Sequence, residues 1–275
     1  MDKKTIRRGW VAIGCVLLGS VIYGVTGYIC GNRKVSRIAP APCTKITPSR
    51  EKKQFPGDTY EIHPSEEVKA AAEKLKKYPF AEHNERMYGL SLAPVLMTDR
   101  LVIRPMNSGD IDDLTATFAD EETVYMLAFM PWPFPKRRVT IYMENLSYAI
   151  ERGNSLYWAI TEPKDNRLIG VIGLTLDYTN ERAEMHYWLL PEARGKGYMT
   201  EVAKRTIDYA FRDLNMHRID INCLTVNKAS QRVMEKCGFV FEAEKIDFAK
   251  KGDKFENMKF FYILRKDYFS DPSKK

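Results

Sequence analysis

Side chains that ligate metals are sparse in this chain. Its five cysteines stand at positions 15, 30, 43, 223 and 237, without a C-x-x-C pair, and four histidines are scattered among 275 residues. A structural metal site needs about four such donors at close spacing, so the pattern points away from a metal. An odd, dispersed set is no disulfide framework either, which leaves Cys223 on a buried strand and Cys237 at a helix end as structural thiols. Neither has a base close by in sequence, so a cysteine nucleophile is not expected. A nucleic-acid footprint is missing as well. The formal charge is +7, but eleven Lys and Arg against only Asp2 and Glu51 precede residue 58, so the rest of the chain is close to neutral. A basic tail beside a nearly neutral fold fits a membrane surface better than DNA or RNA.

What is present begins with a long apolar run. Trp10 to Ile29 is about twenty residues without a charge, long enough at about 1.5 Å per residue to cross a bilayer's hydrocarbon core. Residues 1–31 therefore read as a transmembrane anchor that meets the lipid bilayer through residues 10–29. A cleaved signal peptide is the alternative, opposed by the length of the run and by Pro42 directly after the Ala39/Ala41 pair. Lys3, Lys4, Arg7 and Arg8 precede the span and Arg33, Lys34, Arg37, Lys45 and Arg50 follow it, so charge does not set the orientation. Residues 32–64, with Pro40, Pro42, Pro48, Pro56 and Pro64, read as a tether. Ser65-Glu66-Glu67 then opens a charged helical extension, residues 65–93, with Val68, Ala71, Ala72 and Leu75 at helical spacing.

Residues 94–269 read as one folded domain, followed by a polar tail at 270–275. Its patterning predicts a strand at 100–104 closed by Pro105, short helices to 119 and over 121–129, and a helix from the Pro131–Pro135 loop to about 152. Strands follow at 156–161, 168–177 and 184–190, then a helix over 200–214, a strand over 218–225 and a helix over 228–237. Two last strands lie at 240–249 and 258–265. Strands early, then strand and helix in alternation, imply an α/β sandwich around a mixed sheet.

Between the predicted strand ending at Leu190 and the helix starting at Thr200 lies Arg194-Gly195-Lys196-Gly197-Tyr198-Met199. Two glycines let the backbone turn tightly with its N–H groups inward, and the helix adds unpaired first-turn amides and a positive dipole end. Such a cup suits a pyrophosphate. About thirty residues on, Asn227-Lys228-Ala229-Ser230 opens a helix that ends in Cys237-Gly238-Phe239. The first stretch resembles the acyl-CoA loop, Arg-x-x-Gly-x-(Gly/Ala), and the second the Asn-x-x-Ser…Gly-Phe signature, of the GCN5-related N-acetyltransferase (GNAT) superfamily. Thr98–Pro105 and the Pro/aromatic loop Met130–Pro135 are similar to those of its RimJ/RimL-type branch. The resemblance covers about residues 95–269. Met199 departs from it, because the family carries a small residue at that point of the loop, and it narrows the cup.

The resemblance implies a GNAT fold: an α/β acyl-CoA N-acyltransferase domain with a mixed sheet flanked by helices, here preceded by a single transmembrane helix and linker. It implies acetyl-CoA as co-substrate, no metal, and an amine acceptor, either a peptide N-terminus or a small amine. In the family the strands before and after the loop helix splay and admit the pantetheine arm, which here involves Tyr187, Trp188, Leu189 and Leu190 and the strand 220–225. Gly195, Lys196, Gly197, Tyr198 and Met199 would hold the pyrophosphate with Arg194, and Asn227 would contact the arm. Acyl transfer also needs a proton for the departing thiolate, a donor for the carbonyl oxygen and a neutral amine. Ser230 matches the hydroxyl beside the sulfur and is the candidate proton donor. Glu184 and His186, two apart on one strand and so on one face, are the candidate bases. Trp132, Phe134, Tyr157 and Trp158 are candidates for the acceptor mouth.

An α-amine titrates near 7.7 to 8.0, whereas a lysine near 10.4 needs a stronger base, so an ill-defined base favours α-amino acceptors. The expectation is a single-pass membrane-anchored acetyltransferase that favours protein N-termini. Its domain would face a compartment that holds CoA, cytosol or matrix. The alternative is a non-catalytic scaffold of the same fold in a membrane-associated assembly.

Overall fold

The computed structural model describes residues 62–77, 93–151 and 153–270. The expected membrane span and most of the linker lie outside the described residues, and among the described residues no helix is long and apolar enough to cross a membrane. Helix α1, Glu66–Lys77, starts where the Ser65 hydroxyl accepts from Val68 N, and it buries Val68 and Ala72 against Val102. The extension thus packs on the domain, as its helical spacing implied.

The domain is built on one eight-stranded sheet in the order β1-β2-β3-β4-β5-β6-β8-β7. The strands are β1 Leu96–Met97, β2 Val102–Pro105, β3 Ser155–Thr161, β4 Leu168–Asp177, β5 Arg182–Leu189, β6 Arg218–Leu224, β7 Val240–Lys251 and β8 Lys254–Leu264. All neighbours are antiparallel except β5 and β6, which run parallel. The short β1, the reach of β7 and β8 into a tight hairpin, and a closing helix, α7 Arg265–Ser270, are not in the sequence reading. Helix α7 follows β8 directly, with Tyr268 buried against Phe211.

Two helical layers cover the sheet. Helices α2 Ile111–Phe118, α3 Glu121–Met126 and α4 Lys136–Glu151 lie on one face, where Leu114, Phe118, Val139, Met143 and Ile150 meet Ala159, Val171 and Trp188. Helix α5 Tyr198–Arg212 lies on the other, packing Val202, Ile207 and Phe211 against Trp158, Met185 and Ile263. Each fully buried side chain of this size contributes roughly 1.5–3 kcal/mol, which fixes the register of β5 because a one-residue slip would turn both sets outward. Helix α6, Lys228–Lys236, packs beside α5.

The start of α2 is set by a residue the sequence reading passed over. Asn107 caps the turn Ser108–Asp110 that leads into α2: its side chain accepts from Gly109 N, while Asp110 accepts from Asn107 N. Asp110 is buried with Arg104 in a two-pronged ion pair, 2.6 and 2.9 Å, that ties this turn to β2.

Candidate active site

The parallel pairing of β5 with β6 covers only Arg182↔Arg218, Ala183↔Ile219 and Glu184↔Asp220. Beyond it β5 stays with β4 to Leu189 and β6 stays with β8 to Leu224, so the two strands part and their facing edges lose their partners. A cavity of about 600 Å³ fills the gap. Met185, Tyr187 and Leu189 line it from the α5 face and His186 and Trp188 from the α4 face. Successive side chains of a strand point to opposite faces, so a cavity lined by both sets passes through the sheet. This is the splay expected between the two strands.

At the end of β5 the chain makes the glycine turn. Gly195 and Gly197 have φ of 76° and 80°, in the left-handed region where glycine carries no Cβ penalty, and a Cβ on Gly195 would meet nothing within 4 Å. Arg194 N bonds to Pro191 O and Glu201 N to Gly197 O, but from Gly195 to Thr200 no main-chain N–H has an acceptor among the described residues. Gly197 caps α5 without a side-chain bond. The unpaired amides of a loop and a helix's first turn in series make a site for an anion. Arg100 holds the turn from behind: it donates to Lys196 O at 3.1 Å, pairs with Glu201 at 2.6 Å and stacks on Tyr198 at 4.7 Å.

The predicted cofactor-binding residues divide here. Gly195, Gly197, Tyr198, Met199 and Arg194 border the cavity, whereas Lys196 and Leu190 do not. Lys196 turns its ammonium over the Tyr198 ring at 5.6 Å, and Leu190 spends its N–H on Ile169 O and its carbonyl on Ala193 N. Arg194 donates to Leu189 O at 3.2 Å and to the Thr123 hydroxyl at 2.6 Å, which fastens the turn to α3. Met199 is 6% exposed and buried with Val202 and Ala203, so its side chain serves the core under the loop.

On the α5 side of the gap, Tyr187 Oη lies 3.0 Å from Ser230 Oγ. Asn227 caps α6, its carboxamide oxygen accepting from Ser230 N at 3.0 Å, and this cap fixes Ser230 in the first turn facing β5. Burial pushes the Tyr187 phenol well above its ordinary range, although its bond to Ser230 pulls the other way, so the pair carries its protons at neutral pH. Cys223 borders the same end, its thiol pushed up to about 11 by burial despite a bond to Ser230. It stays a thiol, in line with its structural reading.

On the α4 side, His186 stacks on Tyr157, with centroids 6.3 Å apart and planes 3° from parallel, and its Nε2 lies 3.2 Å from the Thr175 hydroxyl. Burial lowers its pKa to about 3, so it is neutral at physiological pH and a weak proton acceptor. Glu184 shares its face but does not border the cavity; it accepts from Asn222 Nδ2 at 2.9 Å. Of the four aromatics expected at the acceptor mouth, Tyr157 alone lines the cavity. Trp158 is buried on the opposite face with its indole N–H on Pro94 O, Phe134 packs against Phe118, and Trp132 is 45% exposed.

Tyr142 and Thr123 border this cavity and are absent from the candidate site read from the sequence, whereas Tyr187 was read as part of the strand beside the arm, without a role for its hydroxyl. The period-two pattern turns Tyr187, between His186 and Trp188, toward the other layer. Tyr142 and Thr123 come from the α2–α4 layer, whose approach to β5 no local pattern encodes.

A sequence model of the acetyltransferase (GNAT) domain matches residues 100–240. The chain is 28% identical over 147 residues to the uncharacterised N-acetyltransferase YoaA of Bacillus subtilis, covering 53% of this chain and 82% of that protein. It is 30% identical over 112 residues to the spermidine N(1)-acetyltransferase of Vibrio cholerae, covering 40% of this chain and 65% of that one. Among solved structures, the ribosomal L7/L12 alpha-N-protein acetyltransferase RimL in complex with coenzyme A superposes with a TM-score of 0.56 at 17% identity, covering 62% of this chain and 97% of that one.

Proposed function

The chain belongs to the acetyltransferase (GNAT) family and is an acetyl-CoA-dependent N-acetyltransferase; we propose that the amine it acetylates is the α-amine of a peptide or protein N-terminus. The observation that carries this reading is a cavity that passes through the sheet, with a proton-bearing pair on one side and a neutral aromatic wall on the other.

The residues present fit acetyl-CoA. The unpaired amides of Gly195–Thr200 and Arg194 suit its pyrophosphate, and the free edges of β5 and β6 suit the amide-bearing arm. Bound there, acetyl-CoA supplies the acyl group as a thioester. Asn227 holds the first turn of α6 at the gap, and Ser230 gives its proton to the sulfur as the carbon–sulfur bond breaks. Tyr187, 3.0 Å away, passes its proton to Ser230 as it takes one up from solvent in the cavity, so neither hydroxyl stays ionised. On the other side, His186, Tyr157 and Trp188 receive the acceptor in neutral surroundings. An α-amine is partly neutral near pH 7.7 to 8.0 and can attack without a strong base. That suits a site whose histidine has a pKa of about 3 and whose Glu184 stands behind Asn222. The proton shed by the nitrogen as the amide forms passes to solvent at the cavity's opening, since His186 is a weak acceptor and Glu184 lies off the cavity.

The RimJ/RimL-like strand at Thr98–Pro105 and loop at Met130–Pro135 support the same acceptor class. The spermidine-acetylating relative marks the competing one, and the cavity's wall weighs against it: the carboxylate that borders it is Glu122, which is exposed, whereas a polyamine carries several cations. We propose as well that residues 10–29 anchor the enzyme in a membrane with the domain on a CoA-containing side; retention of the full-length chain in an alkali-washed membrane pellet tests this, and its release contradicts it.

The acceptor is tested with the full-length chain, acetyl-CoA and an equimolar mixture: a peptide with only its α-amine free, the same peptide with only a lysine ε-amine free, and spermidine. Mass spectrometry should find the acetyl group first on the α-amine. Predominant acetylation of spermidine or lysine overturns the reading.

A further inference from the structure

We propose that Tyr142 is the residue by which the site tells a peptide N-terminus from other amines, its phenol donating a hydrogen bond to the carbonyl oxygen of the acceptor's first residue. The proposal rests on the peptide reading above. Tyr142 is on α4, and its ring meets Phe118 edge-on at 6.0 Å and Phe134 at 6.5 Å. The residue is 6% exposed and lines the cavity beside Tyr157, His186 and Trp188.

Its oxygen is what the fold does not explain. Among the described residues the Tyr142 hydroxyl has no hydrogen-bond partner, yet it is not one of the wholly buried atoms left unpaired, which are Ser155 Oγ, Arg205 Nε and Asp220 Oδ2. It therefore still touches open space, and the open space that Tyr142 borders is the cavity. The fold therefore supplies no partner for this hydroxyl, which is reached from the cavity alone. Phenylalanine would fill the same volume between Phe118 and Phe134 without the hydroxyl. Burial also raises the phenol's pKa, so the group remains a donor at any assay pH near neutrality.

The surroundings select what that donor meets. Tyr157 is engaged with Thr175, His186 is neutral, and Glu184 is bonded to Asn222, so this wall presents no free charge. An N-terminal residue carries a carbonyl oxygen one carbon beyond the carbon that bears its amine. A polyamine or a lysine side chain carries none within that reach. A dry, neutral donor favours the oxygen and rejects amines that lack it, because the hydroxyl would then be covered and left unpaired.

The test compares wild type with Tyr142→Phe as full-length chains, on alanyl-alanine amide, n-propylamine and spermidine. Tyr142→Phe should lower kcat/KM for the dipeptide amide about tenfold, the loss of one neutral hydrogen bond. It should leave kcat/KM for propylamine and KM for acetyl-CoA within about twofold, and melt at or above the wild-type temperature. Equal kcat/KM for the dipeptide in both proteins, or equal losses on dipeptide and propylamine, overturns the assignment while leaving the peptide reading in place. A wild-type enzyme that prefers spermidine overturns both together.

Discussion

Tyr187 Oη and Ser230 Oγ, forty-three residues apart in sequence, lie 3.0 Å from one another across the opening between β5 and α6. Two elements that the sheet does not join are bridged there by hydroxyls, beside the gap that receives the thioester. If this pair supplies the thiol's proton, Ser230→Ala should lower kcat on the order of 10²-fold while KM for acetyl-CoA changes little. Tyr187→Phe should cost less, and the double variant no more than Ser230→Ala alone, because both act on one proton. Additive losses would assign them separate tasks.

The glycine turn predicts a different split. A Cβ at position 197 meets Arg100 at 3.6 Å, an ordinary contact, so Gly197→Ala is opposed by its φ of 80° and not by crowding. The left-handed conformation costs a non-glycine residue roughly 1–2 kcal/mol, and relaxing it turns the amides of Gly195–Thr200 away from a common point. KM for acetyl-CoA should rise about tenfold, with kcat nearly unchanged at saturation.

His186 sets an expectation for pH. Its folded pKa of about 3 lies below the ordinary value of 6.5, so between those values the unfolded chain binds more protons than the folded one. Stability should therefore be level above pH 6.5 and fall as pH drops towards 3, by about 1–2 kcal/mol between pH 7 and pH 5 from this residue. His186→Gln should flatten that limb of the melting-temperature profile. Activity in wild type should show no inflection near 6.5 from this group.

Lys251 predicts a stability effect remote from the chemistry. It is 9% exposed, and its ammonium donates to the carbonyls of Val124, Leu127 and Met130 at 2.9, 2.7 and 2.9 Å, closing the C-terminal end of α3. Lys251→Met removes three bonds; Leu127 N still serves Val124 O and Met130 N still serves Leu127 O, so Met130 O loses its donor and stability should fall by about 1–3 kcal/mol. Because α3 carries the Thr123 that holds Arg194, KM for acetyl-CoA should rise as well. Thermal melts and initial rates on the same preparation check both.

The parts of this protein legible in the sequence are those in which local chemistry and tertiary role coincide. Gly195 and Gly197 must turn the chain wherever they fall, and Asn227-x-x-Ser230 is at once a helix cap and the placement of a hydroxyl, so the loop and both flanking helices could be read directly, whereas the splay of the strands came only from the family resemblance. Lys196 and Leu190 stood next to these residues in sequence, but a charge beside a tyrosine ring and a backbone already paired with Ile169 and Ala193 have other partners in space. Trp158 and Tyr157 show the same limit: adjacent on β3, they face opposite layers, and which face holds the cavity depends on where β5 and β6 part. The Thr123 and Tyr142 contacts depend on how α3 and α4 lie against the sheet, and that is fixed by the packing of Phe118, Phe134 and Trp188 rather than by any motif.

The central claim, that the gap between β5 and β6 is where acetyl leaves CoA with Ser230 at the sulfur, is tested most directly by thiol release. Full-length wild type and Ser230→Ala are each mixed with acetyl-CoA and a peptide bearing a free α-amine, and free CoA is followed in time. The structure predicts steady, peptide-dependent release by wild type, and release slowed on the order of 10²-fold in the variant at unchanged acetyl-CoA binding. Equal rates from both proteins would contradict it, and so would wild type that binds acetyl-CoA without releasing thiol to any α-amine.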